Sequence, residues 1–168
     1  MRPLIQLLAV LVTAMMLAAC SFHLRGQAGM PFETLYLDAA NPNTPFIKEL
    51  RRSLETNRVK LVSSSQQADV VLNIVSETSI KQILSLSGSG RVNEFQLFYR
   101  VSVRAYDLKN QEWIPAEEFV LRRDFPYDDS NVLAMAAEED LLNQSMRTDM
   151  VHQIVRRLGR AKPQSLSK

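Results

Sequence analysis

The residues of this sequence best suited to binding chemistry are cations that lie in or beside its long β-strand patterns. Arginine binds a phosphate group through a planar fork of N–H donors, and lysine binds it as a compact charge. Six cations are candidates for contact with a phosphate-bearing ligand: Lys81, Arg91, Arg100, Arg104, Arg122 and Arg123. For each of them, the alternative interpretation is an ordinary cationic side chain on a solvated strand face.

The sequence offers little material for catalysis or metal binding. It contains two histidines, His23 and His152, and no nucleophile–base pair, HExxH, GxSxG or phosphate-binding glycine-loop motif. The acidic run at residues 138–140 falls in a helical pattern, where consecutive side chains point in different directions and cannot converge on one ion. We therefore expect a protein that is not an enzyme and that holds no metal or cofactor.

Composition and charge narrow the class of protein further. The 168 residues include 20 basic and 18 acidic side chains, and the formal net charge is +2. A nearly balanced charge gives no overall field that would attract nucleic acid, so we expect no nucleic-acid partner. Glycine and proline number only 5 and 7, and 46% of the residues are hydrophobic, which favours a folded domain over a disordered chain.

The first twenty residues are typical of an exported protein. Residues 1–19 combine an arginine near the start, an apolar centre and small residues at the end, which predicts a removable signal peptide. The final Leu-Ala-Ala-Cys resembles the lipobox of bacterial lipoproteins, and Cys20 is the only cysteine of the chain. This resemblance implies that Cys20 becomes the mature N-terminus and carries an N-acyl chain and an S-diacylglyceryl group. The alternative is a buried structural cysteine behind an ordinary signal peptide.

Turn residues and hydrophobic periods divide the start of the mature chain into short elements. Residues 20–30 have no sustained apolar period and are interpreted as a lipidated tether. Residues 33–38 alternate in the manner of a strand. Thr44 followed by Pro45 is the pattern of a helix N-cap, and apolar residues at helical spacing continue this helix to about Asn57.

The centre of the chain predicts a long antiparallel hairpin. A short strand at residues 59–62 precedes a run at 69–86 without glycine or proline, and a glycine-containing turn at 86–91 ends that run. The return strand alternates clearly, and its apolar face consists of Phe95, Leu97, Tyr99, Val101, Val103 and Ala105. We expect this face to pack on a core and the opposite face to meet water or a polar partner. The tip of so long a hairpin should project beyond the sheet.

The rest of the chain completes one domain of the α+β class. Residues 114–127 predict a further strand, residues 131–158 a long amphipathic helix, and residues 159–168 a polar C-terminal tail. The predicted order is strand, helix, four strands and helix. We expect residues 31–158 to form a single two-layer sandwich, in which a mainly antiparallel or mixed β-sheet packs against two helices.

Several short motifs behind the lipobox resemble the LptE family of lipopolysaccharide-assembly lipoproteins of the Gram-negative outer membrane. These motifs are residues 20–25 (CSFHLR), 36–38 (YLD), 94–97 (EFQL), 99–101 (YRV) and the C-terminal helix with its aspartate-rich start. Together they cover nearly the whole mature chain. Proteins of this family are two-layer sandwiches of a β-sheet and two helices, so the resemblance implies the same fold here.

The resemblance also implies a function without catalysis. LptE proteins sit as a plug inside the β-barrel of LptD, help that barrel to mature and bind lipopolysaccharide on its way to the outer leaflet. By resemblance to sorted lipoproteins, Ser21 favours the outer membrane, with the lipid in its inner leaflet and the domain on the periplasmic side. No family motif assigns lipopolysaccharide contacts, so the six cations are physical inferences. The alternatives are a pilot lipoprotein for another outer-membrane protein and, with least support, a lipid-anchored hydrolase.

Overall fold

The computed structural model describes residues 29–164, so the predicted signal peptide, Cys20 and most of the predicted tether lie outside the described residues. In chain order the elements are β1 (Thr34–Ala39), α1 (Pro45–Thr56), β2 (Lys60–Leu61), β3 (Val70–Leu86), β4 (Val92–Tyr106), β5 (Glu112–Pro126) and α2 (Val132–Gly159). Two short 3-10 turns, Ser65–Gln67 and Asp129–Asn131, precede β3 and α2. None of the described helices is long and apolar enough to cross a membrane.

The five strands form one mixed sheet in the order β2-β1-β3-β4-β5. β1 lies parallel to both β2 and β3, whereas β3, β4 and β5 are joined by antiparallel pairs. Parallel neighbours need a crossover connection, and α1 provides it between β1 and β2. The predicted α+β class, with a mixed sheet and two helices, is confirmed.

The apolar side of β4 forms the centre of the core, as its alternation predicts. Leu97, Val101 and Val103 are almost completely buried. They belong to one apolar cluster with side chains of both helices, which include Leu50, Leu54, Met146, Met150 and Ile154. Burial of each large apolar side chain stabilises the fold by about 1.5–3 kcal/mol, so this cluster is the main source of stability.

Local side-chain hydrogen bonds determine where the helices begin. The Thr44 hydroxyl accepts a hydrogen bond from the Ile47 backbone N–H at 3.2 Å, and Pro45 takes the first helical position. Before α2, the Asp128 carboxylate accepts a hydrogen bond from the Ser130 backbone N–H at 2.9 Å, and this bond lowers the pKa of Asp128. The ionised carboxylate also suits the positive end of the α2 dipole.

A small polar network joins α1, β3 and β4 beside the core. The Tyr99 hydroxyl donates to Glu77 Oε1 at 2.6 Å, and the Thr44 hydroxyl donates to Glu77 Oε2 at 2.9 Å. Burial, together with the adjacent Glu77 carboxylate, raises the pKa of Tyr99 far above its usual value. The phenol therefore stays protonated and keeps its hydrogen bond over the physiological pH range.

Past the end of β1, the sheet continues as an arm formed by β3 from residue 75 onward and the adjacent parts of β4 and β5. β1 pairs with β3 only before this point, so no strand of the described chain lies on that side of residues 75–86. β5 accompanies β4 as far as the Glu94–Pro126 pair. The arm is thus three-stranded and backed by α2, whereas the sequence predicted a hairpin tip that projects beyond the sheet. β5 extends along the arm because its Phe125 is apolar and fully buried in the same core cluster as the α2 side chains.

The start of the predicted C-terminal tail is part of the folded domain. Ala161 is buried, and Gln164 forms a β-bridge with Glu112 at the beginning of β5. The Glu112 N–H donates to the Gln164 carbonyl at 3.0 Å, and the Gln164 N–H donates to the Glu112 carbonyl at 2.8 Å. These two bonds cover the outer edge of β5 at its first residue.

The assignment of the two sheet faces can be tested with adjacent substitutions in β4. Val101 is completely buried, so Val101→Asp introduces an unpaired charge and should cost several kcal/mol, enough to unfold a domain of ordinary stability. Arg100→Ala, on the opposite face, should change the free energy of unfolding by less than about 1 kcal/mol. Urea denaturation measures both values. An equal loss in the two variants would show that the faces are assigned wrongly.

Candidate functional site

Strand pleating divides the six candidate cations between two faces of the sheet. Residues directly opposite each other in an antiparallel pair point to the same face, and the face alternates along each strand. Lys81 lies opposite Leu97, and Leu97 lies opposite Arg123, so both cations share the helix-covered side, here called the inner face. The other side, called the open face, has no helix over it among the described residues and carries Arg100, Arg104 and Arg122.

The two cations on the inner face are bound to acids of α2. Lys81 Nζ lies 2.7 Å from Glu139 Oε2 and 4.7 Å from the centre of the Phe95 ring. Arg123 Nη2 lies 2.9 Å from Asp149 Oδ2. These partly exposed ion pairs connect α2 to the arm. In this geometry the ammonium group of Lys81 and the guanidinium group of Arg123 already have an acid partner.

Arg91 connects the hairpin turn to the start of α2. Gly90, immediately before it, has a φ of 80°, a left-handed conformation that glycine adopts without strain. Arg91 Nη1 lies 3.4 Å from Asp129 Oδ2, and 72% of the Arg91 side chain is exposed. An exposed pair at this distance contributes little to stability, so the guanidinium can exchange Asp129 for a ligand phosphate.

The open face brings Arg100 and Arg122 together around Phe98. Phe98 lies directly opposite Arg122, and the guanidinium carbon of Arg100 lies 5.3 Å from the centre of the Phe98 ring. The two arginines are therefore diagonal neighbours on adjacent strands, a relation in which the Cα atoms lie about 7–8 Å apart. The Nε atom of Arg100 is buried and has no hydrogen-bond partner among the described residues. An external acceptor at this position would satisfy a donor that is otherwise costly to bury.

Arg104 shares the open face but is held in place by its neighbours. Its Nη2 atom lies 2.8 Å from Glu112 Oε1, and its guanidinium lies 5.4 Å from the centre of the Tyr106 ring. Among residues 29–164, no ion pair involves Arg100 or Arg122. The structure therefore separates Arg100 and Arg122, which have no acid partner in the described part of the chain, and Arg91, whose acid contact is long and exposed, from the other three cations. Lys81, Arg104 and Arg123 are bound to acids at 2.7–2.9 Å.

The residues weighed for catalysis or metal binding in the sequence have other surroundings in the structure. Glu139, from the acidic run, is the partner of Lys81, and His152 is exposed on α2. Within residues 29–164, no group of histidine, cysteine, aspartate and glutamate side chains is arranged to hold a metal ion.

The exposed edge of β3 was not predicted from the sequence. Within the described part of the chain, residues 75–86 have a strand neighbour on the β4 side only. Several apolar side chains along them are exposed: Val75, Ile80, Ile83, Leu84 and Leu86. Unpaired backbone donors and acceptors beside apolar side chains form a surface that suits a partner protein. The unusual length of the strand pattern at residues 69–86 was one sign of an unpaired edge. The sequence alone does not show that β1 ends too early to pair with the rest of β3.

Comparison with known proteins assigns this fold to a family. The family model of LptE, described as lipopolysaccharide-assembly, matches residues 32–158, which include all five strands and almost all of α2. The chain belongs to the LptE family. The LptE match therefore extends over both layers of the sandwich and includes the arm with its cations.

Individual relatives of the LptE family agree with this assignment. The LPS-assembly lipoprotein LptE of Pectobacterium atrosepticum is 31% identical over 156 residues, which cover 90% of this chain and 80% of the relative. The solution structure of a lipoprotein B from Nitrosomonas europaea has 40% identity and a TM-score of 0.70, covering 81% of this chain and 88% of that chain. The crystal structure of rare lipoprotein B from Shewanella oneidensis has 25% identity and a TM-score of 0.67, with coverages of 74% and 92%.

The structural role of the inner-face ion pairs can be tested by charge exchange. Lys81→Glu places two carboxylates together and should lower the free energy of unfolding by about 0.5–1 kcal/mol, the range for a partly exposed pair. Glu139→Lys should have a similar effect, and the double exchange should recover most of the loss because the pair re-forms with reversed sign. Urea denaturation of all four proteins gives the coupling energy. Additive losses in the double variant would show that the two side chains do not interact.

Proposed function

We propose that this chain is a non-enzymatic subunit of the outer-membrane lipopolysaccharide translocon, in which it plugs the LptD β-barrel and binds lipopolysaccharide. The observation that carries the proposal is the LptE family match over residues 32–158. The relative from Pectobacterium atrosepticum is named an LPS-assembly lipoprotein. The open face, the free edge of β3 and the available cations support the same function on physical grounds.

The open face suits contact with the wall of a barrel lumen. Lumens of outer-membrane barrels are polar, and β4 presents mainly polar side chains on this face: Gln96, Arg100, Ser102 and Arg104. The edge of β3 adds unpaired backbone donors and acceptors at right angles to that face. A domain with polar contacts available in two directions can fill a lumen and help the surrounding barrel to adopt its final form.

Lipopolysaccharide binding requires cations that are unpaired or only weakly paired within the protein. Lipopolysaccharide carries phosphates on lipid A and on its inner core. Arg91 at the tip and the Arg100–Arg122 pair on the open face present guanidinium groups that can take these phosphates. Lys81, Arg104 and Arg123 are weaker candidates, because each would first have to leave an acid at 2.7–2.9 Å.

The lipid anchor completes the proposal. Cys20 would carry the N-acyl chain and the S-diacylglyceryl group, inserted in the inner leaflet of the outer membrane. A single acyl chain gives only marginal membrane binding, and stable anchoring takes two signals, so this combination is sufficient. The folded domain would then lie on the periplasmic side of the membrane, within reach of the LptD barrel.

The proposed lipopolysaccharide contacts can be tested by reversing two charges. Arg91→Glu combined with Arg122→Glu should weaken binding about ten- to a hundredfold, since a charge-assisted contact contributes about 1.5–3 kcal/mol at best. Exposure and salt reduce that contribution, so the loss should be largest at low salt. The melting temperature should change little, because neither guanidinium is part of the core. A titration with purified lipopolysaccharide at two salt concentrations measures the effect.

A matched control distinguishes a local contact from a general effect of charge. Lys60→Glu combined with Lys109→Glu makes the same change in net charge at exposed positions away from the arm. This control should bind within about twofold of wild type at physiological salt, where charges a Debye length apart are screened. Equal binding by the two double variants would contradict the assignment of the lipopolysaccharide site.

A further inference from the structure

A cavity of about 520 Å³ lies at the base of the sheet, at the end opposite the arm. It is formed where the chain enters β1 and where the turn between β4 and β5 approaches it. Its lining includes three acids, Glu33, Asp69 and Asp107, one cation, Lys109, and apolar side chains that include Pro31, Leu108 and Trp113. Neither the family match nor the proposed lipopolysaccharide contacts give this cavity an occupant.

One side of the cavity carries three carboxylates against the one cation Lys109, and two of the carboxylates are held in fixed positions. Asp69 accepts hydrogen bonds from the Thr34 backbone N–H at 2.8 Å and the Glu33 backbone N–H at 3.1 Å, and these bonds lower its pKa. Asp107 accepts hydrogen bonds from the Gln111 backbone N–H at 2.9 Å and from Trp113 Nε1 at 3.3 Å. Both carboxylates therefore stay ionised at neutral pH, with lone pairs left for a cation.

The other side of the cavity is apolar and partly open to water. The Trp113 ring packs edge-on against Phe32, with 5.6 Å between the ring centres, and is only half-buried. Leu108 is 59% exposed. A ligand that fits both sides must combine apolar groups with positive charge.

The segment that precedes the described fold has this combination. Residues 21–28 read SFHLRGQA, so that Phe22 and Leu24 alternate with His23 and Arg25. In an extended chain, such alternation places the apolar pair and the basic pair on opposite sides. The segment contains no acidic residue to oppose the carboxylates of the cavity.

The described chain begins close to the cavity. Pro31 lines the cavity and lies two residues after the first described residue, Gly29. Eight extended residues reach at most about 29 Å, and a short linker gives an effective concentration in the millimolar range. Weak contacts are therefore sufficient to keep the segment in place.

The geometry points to docking of residues 21–28 into this cavity, with Leu24 against Trp113 and Leu108, and with Arg25 facing Asp69 and Asp107. The predicted tether would then be a bound segment that fixes the anchor at Cys20 close to the base of the sheet. Because the arm lies at the opposite end, docking would direct the arm and its cations away from the lipid leaflet. The inference concerns the isolated chain and does not depend on LptD or lipopolysaccharide.

The test uses Trp113, the only tryptophan of the chain, as a reporter inside the cavity. The full lipidated chain in detergent is compared with a full-length variant in which residues 22–28 are replaced by a Gly/Ser sequence of equal length. Docking predicts that the acrylamide quenching constant of Trp113 roughly doubles in the variant, since the segment no longer shields the ring. Equal quenching in the two proteins would overturn the inference.

Single-charge variants test the assigned ion pair. Arg25→Glu should increase quenching toward the level of the Gly/Ser variant and should make it independent of salt, whereas wild-type quenching should rise with salt. Arg51→Glu, which makes the same charge change at an exposed position of α1, should leave quenching as in wild type. The quenching constant of Arg25→Glu could equal that of wild type while the constant of the Gly/Ser variant is higher. That result would show that Arg25 does not bind the carboxylates of Asp69 and Asp107. Lipopolysaccharide binding by the Gly/Ser variant is measured separately. A failure of the docking inference can then be told apart from a failure of the proposed function.

Discussion

The apolar stripe along β4 is the constraint on which the rest of the structure depends. β4 has 15 residues and spans about 50 Å, far more than an ordinary strand, and every second side chain from Leu97 to Ala105 is buried. α2 is correspondingly long, with 28 residues or about 42 Å, because it must cover this stripe and the matching residues of β5. The two helices together cover one face of the sheet, which leaves the opposite face open to a partner.

Strand pleating then decides which cations are structural and which are available for binding. Lys81 and Arg123 point to the same side as the apolar stripe, where the acids of α2 meet them and use their charge to position the helix. Arg100 and Arg122 point to the other side, where they meet Phe98 and no acid among the described residues. A shift of one residue in strand register would exchange the two sets, so the core packing also determines the binding surface.

The sequence predicts the local parts of this fold well, because local signals determine them. The Thr44–Pro45 cap, the alternation of β4 and the start of α2 near Asn131 all depend on neighbouring residues, and the structure has them close to the expected positions. Contacts between distant residues were not predictable in this way: Lys81 meets Glu139 across 58 positions, and the edge of β3 is free because β1 is short. The lipid at Cys20 stays a prediction, because it lies outside the described residues.

In the proposed function, the open face of the sheet lies against the LptD barrel. The most direct measurement places a photo-crosslinking amino acid at Val120, which is 41% exposed on the open face, and identifies the partner captured in the outer membrane. The same amino acid at the completely buried Val101 is the control. We expect a one-to-one crosslinked product with LptD from position 120 and none from position 101. Capture of a different outer-membrane protein from position 120, with no LptD, would contradict the account.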